Sequence, residues 1–177
     1  MNKKRTSEEL QRPDLDAYRE QRKFPVKVLL NNIRSLSNVG SIFRTSDAFN
    51  VEEVILCGIT GKPPHREIQR TALGATESVA WRYSESAESV VTELKEDGYT
   101  IFALEQCEVH VAPQDVVLEE GQKVCLILGN EVAGVDQSLV DRSDAVLEIP
   151  QSGTKHSLNV TVAAGIALWE LYKKFTE

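Results

Sequence analysis

Three segments of the 177-residue chain gather side chains capable of chemistry. Residues 31–44 carry Asn38, Gly40 and Arg44. Residues 128–134 place Glu131 between Gly129 and Gly134. Residues 149–160 run from Ile149 and Pro150 through Gly153 and His156 to Ser157, Leu158 and Asn159. An arginine stays protonated in proteins, so Arg44 suits phosphate binding and the stabilisation of developing oxyanion charge better than simple base catalysis. A carboxylate such as Glu131 can accept a proton. Hydroxyl and amide groups at Asn38, Ser157 and Asn159 can orient a substrate, and glycine lets backbone approach a ligand closely. Each segment alone also has a plainer reading. Asn38 can cap a helix, and Arg44 can be a solvated helix residue. Gly129 to Gly134 can be an ordinary strand-to-helix turn, and Ser157 or Asn159 can cap the helix that follows.

The surrounding pattern supplies elements to position these segments. Short apolar runs at 26–30, 51–57, 78–82, 99–104, 123–128 and 145–149 read as strands. The run at 123–128 is nearly continuous, as in a strand buried on both faces. Helical spacing appears at 39–50, 86–97, 136–142 and 159–175. Residues 58–67 hold Gly61, Pro63 and Pro64 and read as a loop. Alternating strands and helices predict an α/β fold, a mostly parallel sheet covered on both faces. In such sheets ligands bind beyond the carboxyl ends of the strands, where all three segments fall. Before this body, Thr6-Ser7-Glu8-Glu9 has the form of a capping box, and 14–23 reads as a second short helix. The arm is 1–25 and the main domain 26–177.

The net charge of -7 argues against a generic basic nucleic-acid coat. The charge is uneven, however. Residues 1–27 hold eight basic and five acidic side chains, leaving twelve basic against twenty-two acidic in the rest. The arm either contacts RNA or is a solvated helical surface. Cys57, Cys107 and Cys125 are odd in number and lack CxxC spacing, which fits a reducing compartment. His65, His110 and His156 are dispersed, so no metal is expected. The first residues lack a signal peptide's apolar core, and no run approaches the roughly 20 residues needed to span a membrane. The expectation is a cytoplasmic protein. The Gly129–Gly134 spacing is not G-x-G-x-x-G, which disfavours a dinucleotide fold.

Taken together, the three segments resemble the motifs of the SpoU (TrmH-like) family of RNA ribose methyltransferases, in the SPOUT superfamily. Asn38, Gly40 and Arg44 match its Asn-x-Gly-x-x-x-Arg motif. Gly129, Glu131 and Gly134 match Gly-x-Glu-x-x-Gly, and Pro150 with Ser157 to Val160 matches Pro…Ser-Leu-Asn-Val. The resemblance covers about residues 26–175. It implies a C-terminal deep trefoil knot, a homodimer and an S-adenosylmethionine pocket. It also implies methyl transfer to a ribose 2′-hydroxyl. By position, the cofactor would lie against Leu104 and the loop that follows it, Gly129, Ile149, Ser157 and Leu158. Arg44 matches the family's catalytic arginine. Asn38 would orient Arg44 or the ribose, and Ser157 with Asn159 would complete the ribose site. Glu131 would accept the proton, hold Arg44 or only fix its turn.

RNA contact is expected from Arg34, Arg66 and Arg70, in a stretch where Lys62, His65 and Arg82 also fall and only Glu67 and Glu77 oppose. Ordinary surface charges are the bland alternative. The substrate reading is tRNA ahead of rRNA, because the chain shows no large auxiliary RNA-binding domain. Two competing readings stand beside it. One is a non-catalytic RNA-binding or scaffold protein of the same fold. The other is a SPOUT enzyme that methylates a base, which the ribose-type Ser-Leu-Asn-Val disfavours.

Overall fold

The computed structural model of the protein describes residues 2–6 and 8–176. The six strands are β1 (Phe24–Asn31), β2 (Val51–Cys57), β3 (Ala80–Ser84), β4 (Tyr99–Leu104), β5 (Lys123–Leu128) and β6 (Ala145–Leu147). They form one sheet in the order β3-β2-β1-β5-β4-β6, and all paired neighbours are parallel. The register decides where chemistry can sit. Leu30 pairs with Leu128, Leu128 with Leu104, and Leu104 with Leu147. Four strands therefore end on one line, and their following loops start side by side.

Two buried clusters cover the two faces. Strand alternation sends Leu30, Leu126 and Leu128 to one face and Leu29, Cys125 and Ile127 to the other. The first face packs against α2 (Leu36–Ala48), α3 (Arg66–Ala72), α4 (Ala75–Ser78) and α7 (Val160–Thr176), through Ile42, Phe43, Ile68, Ala75 and Leu168. The second packs against α5 (Ala87–Glu96) and α6 (Gln137–Val140), through Val90, Leu94 and Leu139. Each fully buried Leu, Ile or Phe contributes about 1.5–3 kcal/mol, so the central strands anchor the loops above them.

The differences from the sequence pattern are local. Helix α2 begins at Leu36, with Ser35 as its cap: the Ser35 side chain accepts from the Asn38 N–H. Asn38 is thus inside the first turn and is not the cap. Residues 66–78 hold α3 and α4, separated by Leu73 and Gly74 in left-handed conformation. That helical turn through Ser78 delays the third strand to Ala80. Gly40 lets α3 pack closely on α2: a Cβ there would lie 2.2 Å from the Ile68 carbonyl oxygen.

In the arm, Thr6 and Glu9 make the two reciprocal bonds of a capping box, at 2.7 and 3.3 Å, ahead of a short 3-10 turn. Ser7 of that predicted box lies outside the described residues. Helix α1 (Leu15–Glu20), capped by Asp14, docks on the body. Tyr18 is buried and its hydroxyl donates to the Asp47 carbonyl, while Arg19 donates twice to the Glu77 carbonyl. Among the described residues no helix is long and apolar enough to cross a membrane.

Candidate active site

The loops leaving β1 and β5 are locked together. Beyond Leu128, Asn130 and Gly134 exchange backbone hydrogen bonds of 2.9 Å in each direction, closing a tight turn. Asn130 Oδ1 accepts the Val132 and Ala133 N–H groups inside that turn, and its Nδ2 donates to the Asn32 carbonyl at 2.7 Å. The glycines are steric requirements. A Cβ on Gly129 would lie 2.2 Å from backbone atoms of Gly134 and Val135, and Gly134 has φ +74°. Asp136 then accepts from the Asn31 and Asn32 amides and donates its own N–H to Asn31 Oδ1.

Glu131 projects from this turn onto the start of α2. Its carboxylate accepts the Arg34 and Ser35 N–H groups at 3.0 Å and Asn38 Nδ2 at 2.9 Å. Desolvation pushes its pKa up. The donors from Arg34, Asn38 and Ser35 outweigh that and hold it below the usual carboxylate range. A carboxylate so engaged is a poor proton acceptor. Its geometry is that of a clamp between the first two motifs.

A cavity of about 550 Å³ opens where the loop after β5 meets those after β4 and β6. That is the size range of sites for small organic ligands. Leu104, Gly129, Ile149, Ser157 and Leu158 all line it, as do Glu131 and Asn159. Asn159 also meets the first motif, its Nδ2 standing 3.5 Å from Asn38 Oδ1, while its own Oδ1 accepts the Thr161 N–H at 2.8 Å. Asn159 therefore caps α7 and faces Asn38 at once.

Arg44 stands apart. It lies six residues beyond Asn38, about 9 Å along α2 at 1.5 Å per residue. It is exposed, and no hydrogen bond or ion pair ties it to another described residue, Glu131 included. Arg34, Arg66 and Arg70 are likewise exposed, with side chains free of ion pairs among the described residues. Arg82, which the sequence placed in the same basic stretch, pairs with Glu53 and Glu93. Lys62 lies over the Tyr83 ring, 4.0 Å from its centroid.

Sequence reasoning reached the loop after Leu104 without singling out its Glu105 and Gln106, and gave no role to Asn130 or Asp136. Glu105 lines the cavity and accepts the Val135 N–H at 2.9 Å and the Gln106 N–H at 2.8 Å. Gln106 donates to the His156 carbonyl at 2.8 Å. Asn130 was within reach of sequence reasoning, as an Asn beside a glycine at a strand end. Glu105 was not, because its partner is thirty residues away.

With this geometry in place, comparison with known proteins is specific. The model of the SpoU rRNA methylase family matches residues 25–169. A relative from Borreliella burgdorferi, named an uncharacterized tRNA/rRNA methyltransferase, is 30% identical over 149 residues, 83% of this chain and 63% of its own length. The crystal structure of an A. aeolicus TrmH/SpoU tRNA modifying enzyme is 27% identical, with a TM-score of 0.81 over 92% of this chain and 82% of that one. A Sinorhizobium meliloti rRNA methyltransferase, solved with AdoMet bound, is 28% identical, with a TM-score of 0.79 over 92% of this chain and 60% of that one. The chain spans a little under two thirds of the length of the curated relatives it matches. With its model matched over most of the chain, this chain belongs to the SpoU rRNA methylase family.

Proposed function

We propose that the protein is an S-adenosylmethionine-dependent RNA methyltransferase acting on a ribose 2′-hydroxyl, with tRNA its substrate ahead of rRNA. The observation that carries this reading is the shared cavity. The five residues expected to hold the cofactor border one space, and Glu131 pins the first motif to its rim. The residues fit such a ligand. Leu104, Ile149 and Leu158 offer apolar walls, and the Gly129–Gly134 turn leaves a cradle that a Cβ would fill. When bound, the cofactor supplies an electrophilic methyl group.

The chain's own residues supply position and charge. Ser157 and Asn159, at the start of α7, hold the ribose at the cavity edge. Asn38, fixed by Glu131, presents its Oδ1 toward Asn159 and the ribose. Arg44 binds a substrate phosphate and stabilises charge developing on the 2′-oxygen. Without a partner among the described residues, its guanidinium is free for that work. Glu131 acts as a positioning residue in this reading, which leaves the proton to another acceptor. Arg34, Arg66 and Arg70 contact the RNA backbone, which gives position without sequence choice. A cytoplasmic location belongs to the same reading.

A homodimer completes the reading. Leu158, Val162, Ile166 and Trp169 are 38 to 50% exposed and recur every three or four residues. This apolar stripe starts at the cavity rim and suits a second copy of the chain. The trefoil knot belongs to the same proposal. Val111 bridges Leu147, Glu148 donates its N–H to the Val111 carbonyl, and Lys174 donates to the Gln114 carbonyl. The 105–122 connection thus touches both β6 and the end of α7, contacts that support the reading of a threaded chain.

The test is incubation with labelled S-adenosylmethionine and total tRNA or rRNA, followed by mapping of the labelled nucleotides. A 2′-O-methyl nucleotide is the expected product. A methylated base overturns the ribose reading, and absence of label with a sound cofactor-binding protein favours a binding module. Arg44→Ala should lose at least about a hundredfold in turnover while still binding the cofactor. Near-normal turnover would remove Arg44 from the mechanism. Neutralising Arg66 and Arg70 together should weaken RNA binding and flatten its salt dependence.

A further inference from the structure

Two carboxylates line the cavity, and they are spent differently. Glu131 gives both oxygens to N–H donors at the start of α2, where the positive end of the helix helps offset its charge. Glu105 has two backbone partners, the Val135 and Gln106 N–H groups, one on each oxygen. A carboxylate offers about four acceptor sites, so part of its capacity is left over. No lysine or arginine lines the cavity among the described residues, and its basic side chain is His156. A negative charge at a cavity wall without a cation to balance it favours a cationic ligand.

The position of Glu105 is also enforced. It follows Leu104 at the end of β4, and its N–H donates to the Leu147 carbonyl at 3.0 Å. Gly134 packs so closely that a Cβ there would lie 2.2 Å from Glu105 Oε2. The second-motif glycine thus makes room for this carboxylate.

We infer that Glu105 is a specificity-determining residue, which sets the preference of the cavity for the cationic methyl donor over its spent form, whose sulfur is neutral. This rests on the cofactor reading above. Methyl transfer moves CH3 from sulfur to the substrate oxygen, whose proton leaves. The sulfonium becomes a neutral thioether, and the net charge of the bound molecule falls from +1 to zero. A fixed carboxylate in a partly desolvated cavity is attracted to the first species and indifferent to that charge in the second. The same carboxylate thereby favours exchange of product for fresh donor.

The experiment compares binding of S-adenosylmethionine and S-adenosylhomocysteine by titration calorimetry, in wild type, Glu105→Gln and Glu105→Asp. Melting curves check folding. Glu105→Gln keeps an oxygen for the Val135 N–H and removes the charge. It should shift the ratio of the two dissociation constants roughly tenfold against S-adenosylmethionine, with S-adenosylhomocysteine within about twofold of wild type. Glu105→Asp keeps the charge but withdraws it by one C–C bond, so the ratio should shift in the same direction by a smaller factor, about two- to threefold. An equal loss of both ligands in Glu105→Gln, or no change in either, overturns the inference, since a merely structural role does not sense ligand charge. Should the Gln variant fail to fold, a shift of the ratio against S-adenosylmethionine in the Asp variant supports the inference and an unchanged ratio overturns it. Failure of wild type to bind either ligand instead sinks the cofactor reading itself.

Discussion

The two long walls of the cavity are built on opposite principles. The wall after β5, residues 129–136, is bound at nearly every polar group. Asn130, Glu131, Val135 and Asp136 all make hydrogen bonds to segments remote in sequence. The wall after β6, residues 150–159, is exposed throughout. Its ties to the rest of the site are the bond from Gln106 to the His156 carbonyl and the long contact between Asn159 and Asn38. A segment with few buried contacts sits at the low end of local stability. The first wall is preorganised, with its geometry set before any ligand arrives. The second wall has few such ties, and a bound ligand would supply contacts that it lacks.

The sharpest way to break this contrast is to add one methyl group to each wall. In Gly129→Ala the new Cβ meets the Gly134 and Val135 backbone at 2.2 Å, and no flexible side chain can yield there. Overpacking of this kind costs about 1–3 kcal/mol or more, and here it would also displace the cradle. Loss of cofactor binding and a lowered melting temperature are expected together. In Gly153→Ala the Cβ meets nothing within 4 Å. Its melting temperature should stay within the shift of about 0.5 kcal/mol typical of surface changes, with binding close to wild type. Equal damage at both positions would erase the distinction.

A smaller effect comes from Glu131, which ties the preorganised wall to α2. Glu131→Gln leaves oxygen for one or two of the three donors and removes the charge. It should cost about 1 kcal/mol, discounted for the exposure of the carboxylate. The sign of its pH dependence follows from the lowered pKa. The clamp's contribution is complete above the ordinary carboxylate value of 4.5 and is lost as pH falls through the lower folded value. Wild type should therefore lose stability relative to Glu131→Gln below about pH 4.5, and the two melting curves should converge. Parallel acid titrations of melting temperature check this. A constant gap down to the acid limit would mean that the carboxylate's charge does not matter to the clamp.

The contrast also marks what a sequence can reveal. The strands at 51–57, 99–104 and 123–128 were legible because burial on both faces leaves an apolar run. The three motif segments were legible as polar loops at strand ends. The partnership of Glu131 with Arg34, Ser35 and Asn38 was not, since it joins positions more than ninety residues apart and depends on β1 lying beside β5. Glu105 stayed hidden for the same reason. Helices α3 and α4 escaped because each is short. What ends the first is Leu73 in left-handed conformation, a role usually filled by glycine. Arg44 was legible as a motif residue about a turn and a half beyond Asn38, yet its separation from Glu131 appears only once the turn after β5 is placed.

The mildest test probes the weakly tied wall directly. Gln106→Ala removes the amide that donates to the His156 carbonyl and leaves the 129–136 wall untouched. Both groups are exposed, so water can replace the lost bond and the cost to global stability should stay under about 0.5 kcal/mol. The consequence should appear locally. Free of this tie, residues 150–158 should exchange their amide hydrogens faster, whereas residues 129–136 keep wild-type protection. Cofactor should restore protection to 150–158 in the variant, because ligand contacts order that wall independently of Gln106. Affinity should fall by about two- to threefold, the cost of ordering a slightly looser segment on binding. Unchanged exchange in 150–158 would show that this wall is held by its own chain geometry, and the two walls would then differ in exposure but not in order.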